Sequence, residues 1–324
     1  MNEKILVIHQ GALGDVILSF PALRSLRRER DASMALLCKD QVGRMAQESK
    51  VVDAHFPVER AHFCGLFSSH MSHDMQGFVS EYDTILLIGF SQEMEGTIKQ
   101  HYERPVYRIT PRPPAEEERH VAVHLIRQLQ ARGLLRQGEP EIAGTLSSFA
   151  CLAGDQGKRE LPGELVLVHP GAGSKRKRWP LEKFIDVAAA TRQMGLTEVA
   201  FVIGPAERDL LPHVVRATQG RFSVHYVEDL AQVMALMQAS RCFVGNDSGL
   251  THLAAFKGLP TVAVFGPSSP KRWSPIGCNT AVLRSDVDCV PCFELEETNC
   301  DHPQCLNGVS VKMVLEAIGS FQTI

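Results

Sequence analysis

Long hydrophobic runs are missing from this 324-residue chain: apolar stretches such as residues 5–8, 85–88 and 262–265 are short. A membrane-spanning helix needs about 20 such residues, and none of these runs approaches that length. A cleavable leader is not visible either, because Lys4 is followed by only four apolar residues before His9; the expectation is a cytoplasmic chain. Charge of one sign is also lacking. Lys and Arg number 34 against 37 Asp and Glu, a net charge of -3, and neither half is basic enough for a nucleic-acid binder. Any anionic ligand must therefore be met by a local site. Cysteine alone is plentiful, with nine in the chain.

With 44% hydrophobic and 22% charged residues the balance is that of an ordinary globular protein, not a disordered chain or a fibre. At about 150 residues per domain the length implies two domains. Each half opens in the same way. Residues 4–9 and 164–169 are short apolar runs ending in His9 and His169, and each enters a glycine turn, at Gly11 and Gly14 and again at Gly171 and Gly173. Such runs read as parallel strands buried on both faces.

Further strands are expected at 34–38, 51–56, 82–89, 198–203, 222–227, 241–245 and 261–265. A first helix runs to about Arg30 with a kink or restart at Pro21. Later helices fit 180–194, 206–219, 230–239, 249–257 and 311–321. Strands alternating with helices make βαβ units. Periodicity fades between 136 and 163, where glycine and proline collect. The division is set at 1–155 and 156–324, with the last helix free to pack back on the first domain.

Chemistry concentrates where strands end, the edge at which open parallel sheets bind ligands. His9-Gln-Gly-Ala-Leu-Gly-Asp15 follows the first strand. Asp15 there reads first as a helix cap and second as a general base. His169-Pro-Gly-Ala-Gly-Ser174 leads into four consecutive cations, residues 175–178, before Trp179 and Pro180. Backbone N–H groups and cations in that setting suit a phosphate or diphosphate, with a solvated basic loop as the bland alternative. Gly245-Asn-Asp-Ser-Gly-Leu-Thr-His252 carries a strand into a helix whose N-terminus offers unpaired N–H groups. Gly204-Pro-Ala-Glu207 and Phe265-Gly-Pro267 end two more strands. Neither half completes the G-x-G-x-x-G fingerprint, which disfavours a Rossmann oxidoreductase.

Together these motifs resemble the ADP-heptose:lipopolysaccharide heptosyltransferases of glycosyltransferase family 9. The resemblance rests on Leu13-Gly-Asp15 with Pro21-Ala-Leu23, His169-Pro-Gly-Ala172 with Lys177-Arg-Trp-Pro180, Gly204-Pro-Ala-Glu207, Asn246-Asp-Ser-Gly-Leu-Thr-His252 and Phe265-Gly-Pro267. It implies a GT-B fold, two Rossmann-like domains facing a central cleft. It implies inverting transfer of heptose from ADP-heptose to the lipopolysaccharide inner core, with another nucleotide sugar, or sugar-nucleotide binding without turnover, as the alternatives. The acceptor would be a lipid-linked saccharide reached at the cytoplasmic membrane surface.

The resemblance also makes Asp15 the base and reverses the cap reading. It sets Lys177 beside the diphosphate and Asp247, Ser248, Gly249 and His252 at the phosphates and sugar. Glu207 would meet the nucleoside, while Gly14, Gly173 and Ser174 complete the substrate site. At 171–174 hydroxyl side chains found in some relatives give way to Gly171, Ala172 and Gly173 before Ser174. Backbone N–H groups and Ser174 would have to substitute there. No cofactor is expected to take part in transfer.

Cys289, Cys292, Cys300 and Cys305 form C-x2-C and C-x4-C pairs separated by seven residues. Free or oxidised thiols rank ahead of a structural zinc site on that short gap, with His302 as an alternative ligand. A similar segment occurs in many relatives and is expected to be structural. Asp286-Val-Asp288 and the stretch from His70 to Met75 read as surface segments. Arg24, Arg27, Arg28 and Arg30 read as a solvated helix face, with anionic acceptor groups or a membrane surface as the functional alternative.

Overall fold

The buried strand cores expected at both halves organise two separate all-parallel sheets. The computed structural model describes residues 2–60, 71–138, 165–193, 198–287, 289, 291–294, 300 and 303–321. Two compact units form: Met1–Pro114 with Val121–Leu146, and Ala115–His120 with Ser147–Ile324. Most of the stretch at 136–163 and the boundary at 155 lie outside the described residues.

The first unit runs β1 (Lys4–His9), α1 (Leu13–Arg30), β2 (Ser33–Cys38), α2 (Asp40–Glu48), β3 (Ala54–Pro57), α3 (His73–Ser80), β4 (Thr84–Ile88), α4 (Gln92–His101), β5 (Val106–Ile109) and α5 (Val121–Ala131). Its sheet order is β3-β2-β1-β4-β5. Leu6, Ile8, Leu37, Ile85 and Leu87 share one apolar cluster, as the two-residue repeat of a strand requires. Pro21 neither ends nor restarts α1, which is one helix from Leu13 to Arg30. Residues 16–23 are all buried, and that packing outweighs the hydrogen bond a proline cannot donate. Arg27 pairs with Asp53 and Arg30 with Glu3 (2.9 Å), so both are engaged within the unit.

The second unit runs β6 (Leu165–His169), α6 (Leu181–Gln193), β7 (Glu198–Ile203), α7 (Leu211–Thr218), β8 (Ser223–Tyr226), α8 (Leu230–Gln238), β9 (Ser240–Asn246), α9 (Gly249–Phe256), β10 (Thr261–Val264), α10 (Pro270–Trp273), β11 (Thr280–Leu283), α11 (Gln304–Asn307) and α12 (Val311–Ser320). The order β11-β10-β9-β6-β7-β8 is the doubly wound arrangement, reversing direction between β6 and β9. In the first sheet the reversal falls between β1 and β4. The last helix, α12, buries Val314 and Ile318 in the core of this second unit.

The short segment Ala115–His120 belongs to the second unit although the chain on both sides belongs to the first. Arg272, 3% exposed, donates to the carbonyls of Ala115 (3.3 Å) and Glu117. Lys271 meets Glu118 at 2.5 Å, and His120 Nε2 donates to the Ser274 carbonyl at 2.9 Å. Local pattern gives no hint of this excursion, since it depends on side chains more than 150 positions away.

Candidate active site

At the reversal point of each sheet a buried histidine ends the strand and a glycine follows two residues later. In the first unit His9 is 3% exposed and its Nδ1 accepts the Gly11 N–H at 3.0 Å. A Cβ on Gly11 would lie 2.7 Å from the His9 ring, so only glycine fits there. The turn delivers Asp15 to the first turn of α1, where its Oδ2 accepts the Ala12 N–H at 3.0 Å. Capping is therefore a real part of its role. Yet Asp15 also lines a cleft of about 190 Å³ with Gln10, Gly11, Phe90 and Arg112. One carboxylate oxygen holds the turn and the side chain still faces the cleft, so the cap and base readings do not compete.

Burial lowers the His9 pKa to about 4, because charging the ring would require desolvating a cation and giving up the Gly11 bond. The unfolded chain, with its ordinary value of 6.5, takes up that proton first. Stability is thus fully present above about pH 6.5 and falls as the pH drops towards 4, by about 3 kcal/mol from this group. Melting temperatures from pH 7 to 4 should show the decline, and His9→Gln should flatten it. An unchanged slope in the variant would refute the assignment.

In the second unit His169 bridges two expected site residues. Its Nδ1 lies 3.3 Å from Ser248 Oγ, and its Nε2 lies 3.6 Å from Glu207 Oε2. Burial alone would raise the Glu207 pKa, but His169, the Gly204 N–H (3.3 Å) and Arg178 together hold it below the usual value. Gly171 covers this pair. A Cβ there would come within 2.3 Å of Glu207 Cγ and 2.8 Å of His169 Nε2. We expect Gly171→Ala to cost about 1–3 kcal/mol through overpacking, measured by urea unfolding; a neutral substitution would show that the turn adjusts freely.

Asp247, 5% exposed, is the electrostatic centre. Lys177 Nζ lies 2.7 Å from its Oδ2, Ser268 donates to the same oxygen at 2.6 Å, and His252 Nε2 is 3.8 Å from Oδ1. Burial pushes this carboxyl upward, but His252 and Lys177 prevail and hold its pKa at about 2. Lys177 also stands over the Phe293 ring at 3.9 Å. The other members of the basic run are engaged as well. Lys175 and Arg178 meet Asp209 at 3.3 and 2.9 Å, and Arg176 donates to Cys292 at Sγ and at the carbonyl. The run is thus an anchored structure rather than a freely solvated loop.

Ser248 caps α9, accepting the Thr251 N–H at 3.4 Å, and Gly249 is the first residue of that helix. Ser174 caps a single 3-10 turn, accepting the Arg176 N–H at 3.3 Å. Gly173 is open, with nothing within 4 Å of a built Cβ. Two side-chain groups result: Lys177, His252 and Ser268 gather on Asp247, while Glu207 and Ser248 flank His169. Gly14, like Asp15, belongs to the first unit.

Sequence reasoning overlooked three members of these networks. His169 was visible as a polar end to an apolar strand, matched by His9. Asn246 donates to the carbonyls of Pro170 (2.9 Å) and Gly171 (3.1 Å) and accepts the Trp179 N–H (2.9 Å), tying the end of β9 to the loop after β6. Ser268 had no local signal beyond following a strand end.

Among the described residues, buried core cysteines contrast with a cluster near the C-terminal end. Burial pushes the thiols of Cys38 and Cys242 up to about 12, which makes them inert core residues. Cys292, Cys300 and Cys305 line one cavity of about 100 Å³. Cys305 is raised by burial and by the neighbouring thiols, Cys289 among them. Among the described residues no three His, Cys, Asp or Glu side chains are placed to hold a metal. His302 and Asp288 lie outside the described residues, as does His70, while Asp286 is exposed.

Two doubly wound α/β domains with polar side chains at their strand ends are the components of the GT-B fold type. Residues 87–301 match the model of glycosyltransferase family 9 (heptosyltransferase). The chain belongs to that family. It is 31% identical over 153 residues to lipooligosaccharide heptosyltransferase 2 of Haemophilus ducreyi, covering 44% of this chain and 42% of the relative. The chain thus spans about half or less of the length of the curated relatives it matches.

Among solved structures, a family 9 glycosyltransferase of Veillonella parvula superposes with a TM-score of 0.74 at 18% identity, over 99% of this chain and 97% of its own. The ADP-heptose lipopolysaccharide heptosyltransferase II of Escherichia coli gives 0.72 at 20% identity, over 98% of both chains. At those identities the likeness is one of fold.

Proposed function

We propose that this chain is an inverting heptosyltransferase that moves heptose from ADP-heptose to the inner core of a lipopolysaccharide. Two observations, each within its own unit, support this reading: Asp15 set in an open cleft at the switch point of the first sheet, and the Lys177–Asp247–His252 network at the strand ends of the second. Family membership supports the reaction class. The name of the Escherichia coli structure supplies the donor for that protein.

Asp15 accepts the proton of the acceptor hydroxyl as its oxygen attacks the anomeric carbon, and ADP departs from the opposite face. A carboxylate is ionised at neutral pH and accepts that hydrogen bond without prior activation. Charge growing on the leaving diphosphate is met by Lys177 and by the N-terminus of α9 at Ser248 and Gly249. Lys177 has three N–H donors, so it can keep Asp247 while turning another to phosphate. Asp247 itself, an anion, serves by orienting Lys177, Ser268 and His252 rather than by touching phosphate. Gly173 and Ser174 border the diphosphate and Glu207 meets the ribose hydroxyls.

Protein cations take the role a divalent ion would play, and the reaction runs without a cofactor. The cysteine cluster is a structural set of thiols in this reading, and metal content of the purified chain by mass spectrometry separates it from a zinc site. The acceptor is a lipid-linked saccharide, reached by transient contact at the cytoplasmic membrane face. No helix among the described residues is long and apolar enough to cross a membrane.

The reading is tested by a thermal-shift panel of nucleotide sugars followed by assay of ADP release with a lipid-linked core acceptor. ADP-heptose at about 100 times its Kd should stabilise the protein by about 2.7 kcal/mol, while UDP-hexoses should not. The reverse order would reassign the donor. Binding without ADP release on adding acceptor would leave a non-catalytic sugar-nucleotide-binding protein.

A further inference from the structure

In the second unit the cysteine-rich segment is fastened to the basic turn at consecutive residues. The Arg176 guanidinium donates to the Cys292 carbonyl at 3.3 Å and to its Sγ at 3.4 Å. One residue further along each segment, Lys177 Nζ stands 3.9 Å from the centre of the Phe293 ring. The Phe293 N–H is held by the Pro267 carbonyl at 3.0 Å, directly before Ser268, which donates to Asp247. Glu294 completes the attachment. Its Oε2 lies 2.8 Å from Nε of the buried Arg272, and its Oε1 accepts the Trp273 Nε1–H at 2.8 Å. Phe293, itself half-buried, is thus fixed at its own N–H and at the residues on both sides of it.

Lys177 is committed to Asp247 at 2.7 Å, with its side chain only 15% exposed. Transfer asks a second thing of the same ammonium: one of its three N–H donors must turn to a phosphate as charge builds there. A further hydrogen-bond partner would resist that turn, because each such bond fixes the direction of one N–H. A ring face does not. It attracts the cation through its quadrupole whichever way the three N–H groups point, and most strongly where water is kept away. The ring also displaces water from the ammonium, which strengthens the attraction between Lys177 and an approaching diphosphate.

Resting on the transferase reading above, we propose that Phe293 is a positioning residue for Lys177. Its ring holds the ammonium at Asp247 while leaving an N–H able to turn to the diphosphate of the donor. The cysteine segment is the mount of that ring, gripped by Arg176 at Cys292 and by Arg272 and Trp273 at Glu294. Phe293 acts through the lysine, so losing the ring should change diphosphate affinity and the behaviour of the Lys177 amine together.

The test uses the full chain and ADP as the probe, with two readouts. Calorimetric titration gives the ADP affinity. The rate of Lys177 acetylation by acetic anhydride, read by peptide mass spectrometry, reports how firmly the ammonium is held, with the exposed Lys99 of the first unit as internal reference. Phe293→Leu keeps an apolar cover but has no ring face. It should weaken ADP binding about tenfold and raise Lys177 acetylation by a similar factor. Phe293→Tyr keeps the face and should stay within about threefold of wild type in both. Thermal melts confirm folding. Should Phe293→Leu fail to fold, Glu294→Gln, which loosens the mount and leaves the ring, takes its place and should move both readouts in the same direction.

Unchanged ADP affinity in folded Phe293→Leu would overturn the proposal. So would equal losses in the Leu and Tyr variants. Weaker ADP binding with Lys177 acetylated at the wild-type rate would overturn it too, since the ring would then act on something other than the lysine. ADP release from ADP-heptose with a lipid-linked acceptor is measured in parallel. Transfer that is indifferent to Phe293 defeats this inference alone. Phe293-dependent ADP binding and a held Lys177, without transfer to any acceptor, defeat the transferase reading alone.

Discussion

Asp15→Asn should lower the rate of heptose transfer by about 10²–10⁴-fold, the range a positioned general base contributes, while the protein stays folded and binds ADP-heptose as before. The expectation of folding comes from the geometry of the cap. Asp15 Oδ2 accepts the Ala12 N–H at 3.0 Å, and the amide oxygen of asparagine can accept the same bond. What the amide loses is proton affinity, so the defect should appear in kcat with the donor KM unchanged. Asp15→Ala removes the cap as well and should cost about 1 kcal/mol in addition. Single-turnover assays of ADP release, with melts of both variants, separate the two effects. An Asp15→Asn enzyme keeping a tenth or more of wild-type kcat would end the assignment of the base.

Lys177→Met should be the most destabilising single change at the second site, at about 3–5 kcal/mol. The Lys177 and Asp247 side chains are 15% and 5% exposed and 2.7 Å apart. Deleting the cation strands a buried carboxylate with only Ser268 and His252 beside it, the situation in which broken buried pairs cost most. The Asp247 pKa, now about 2, should rise in the variant. In wild type this group contributes stability that is present above its ordinary value of 3.8 and lost as pH falls through 2. Lys177→Met should therefore lose the part of that acid sensitivity that His252 does not supply, along with its affinity for ADP.

The double variant Lys177→Met/Asp247→Asn provides the control. Removing both charges should recover much of the stability but none of the ADP binding. Chemical denaturation and calorimetric titration distinguish these outcomes. If Lys177→Met melts within 0.5 kcal/mol of wild type, the pair does not carry the stability attributed to it.

Much of the candidate site was legible because its polar residues follow strand ends. Asp15 in the first unit and Ser174, Glu207 and Asp247 in the second all sit within a few residues of an apolar run, and within each parallel sheet the run ends share one edge. What the sequence could not show was who each side chain touches. The cations at 175–178 read equally well as a solvated loop or a phosphate cradle. Only the packed chain assigns Lys175 and Arg178 to Asp209 and Lys177 to Asp247. The cap and base readings of Asp15 were rivals on paper because a one-dimensional pattern allots one role per position. A carboxylate with two oxygens in a half-open turn has room for both.

The sequence by itself indicated two parallel-sheet halves, most of their strands, and the polar residues stationed at the strand ends; β5, β11 and the later helices of the first unit were not legible in it. The legible parts follow from local rules: burial on both faces makes continuous apolar strands, and tight turns call for glycine. Tertiary structure alone decided the role of His169 between Glu207 and Ser248, the staple made by Asn246, and the attachment of Ala115–His120 to the second unit. It also decided the stacking of Arg112 on Phe90. Each of these depends on distances between residues far apart in the chain, set by sheet order and side-chain packing, which no periodicity records.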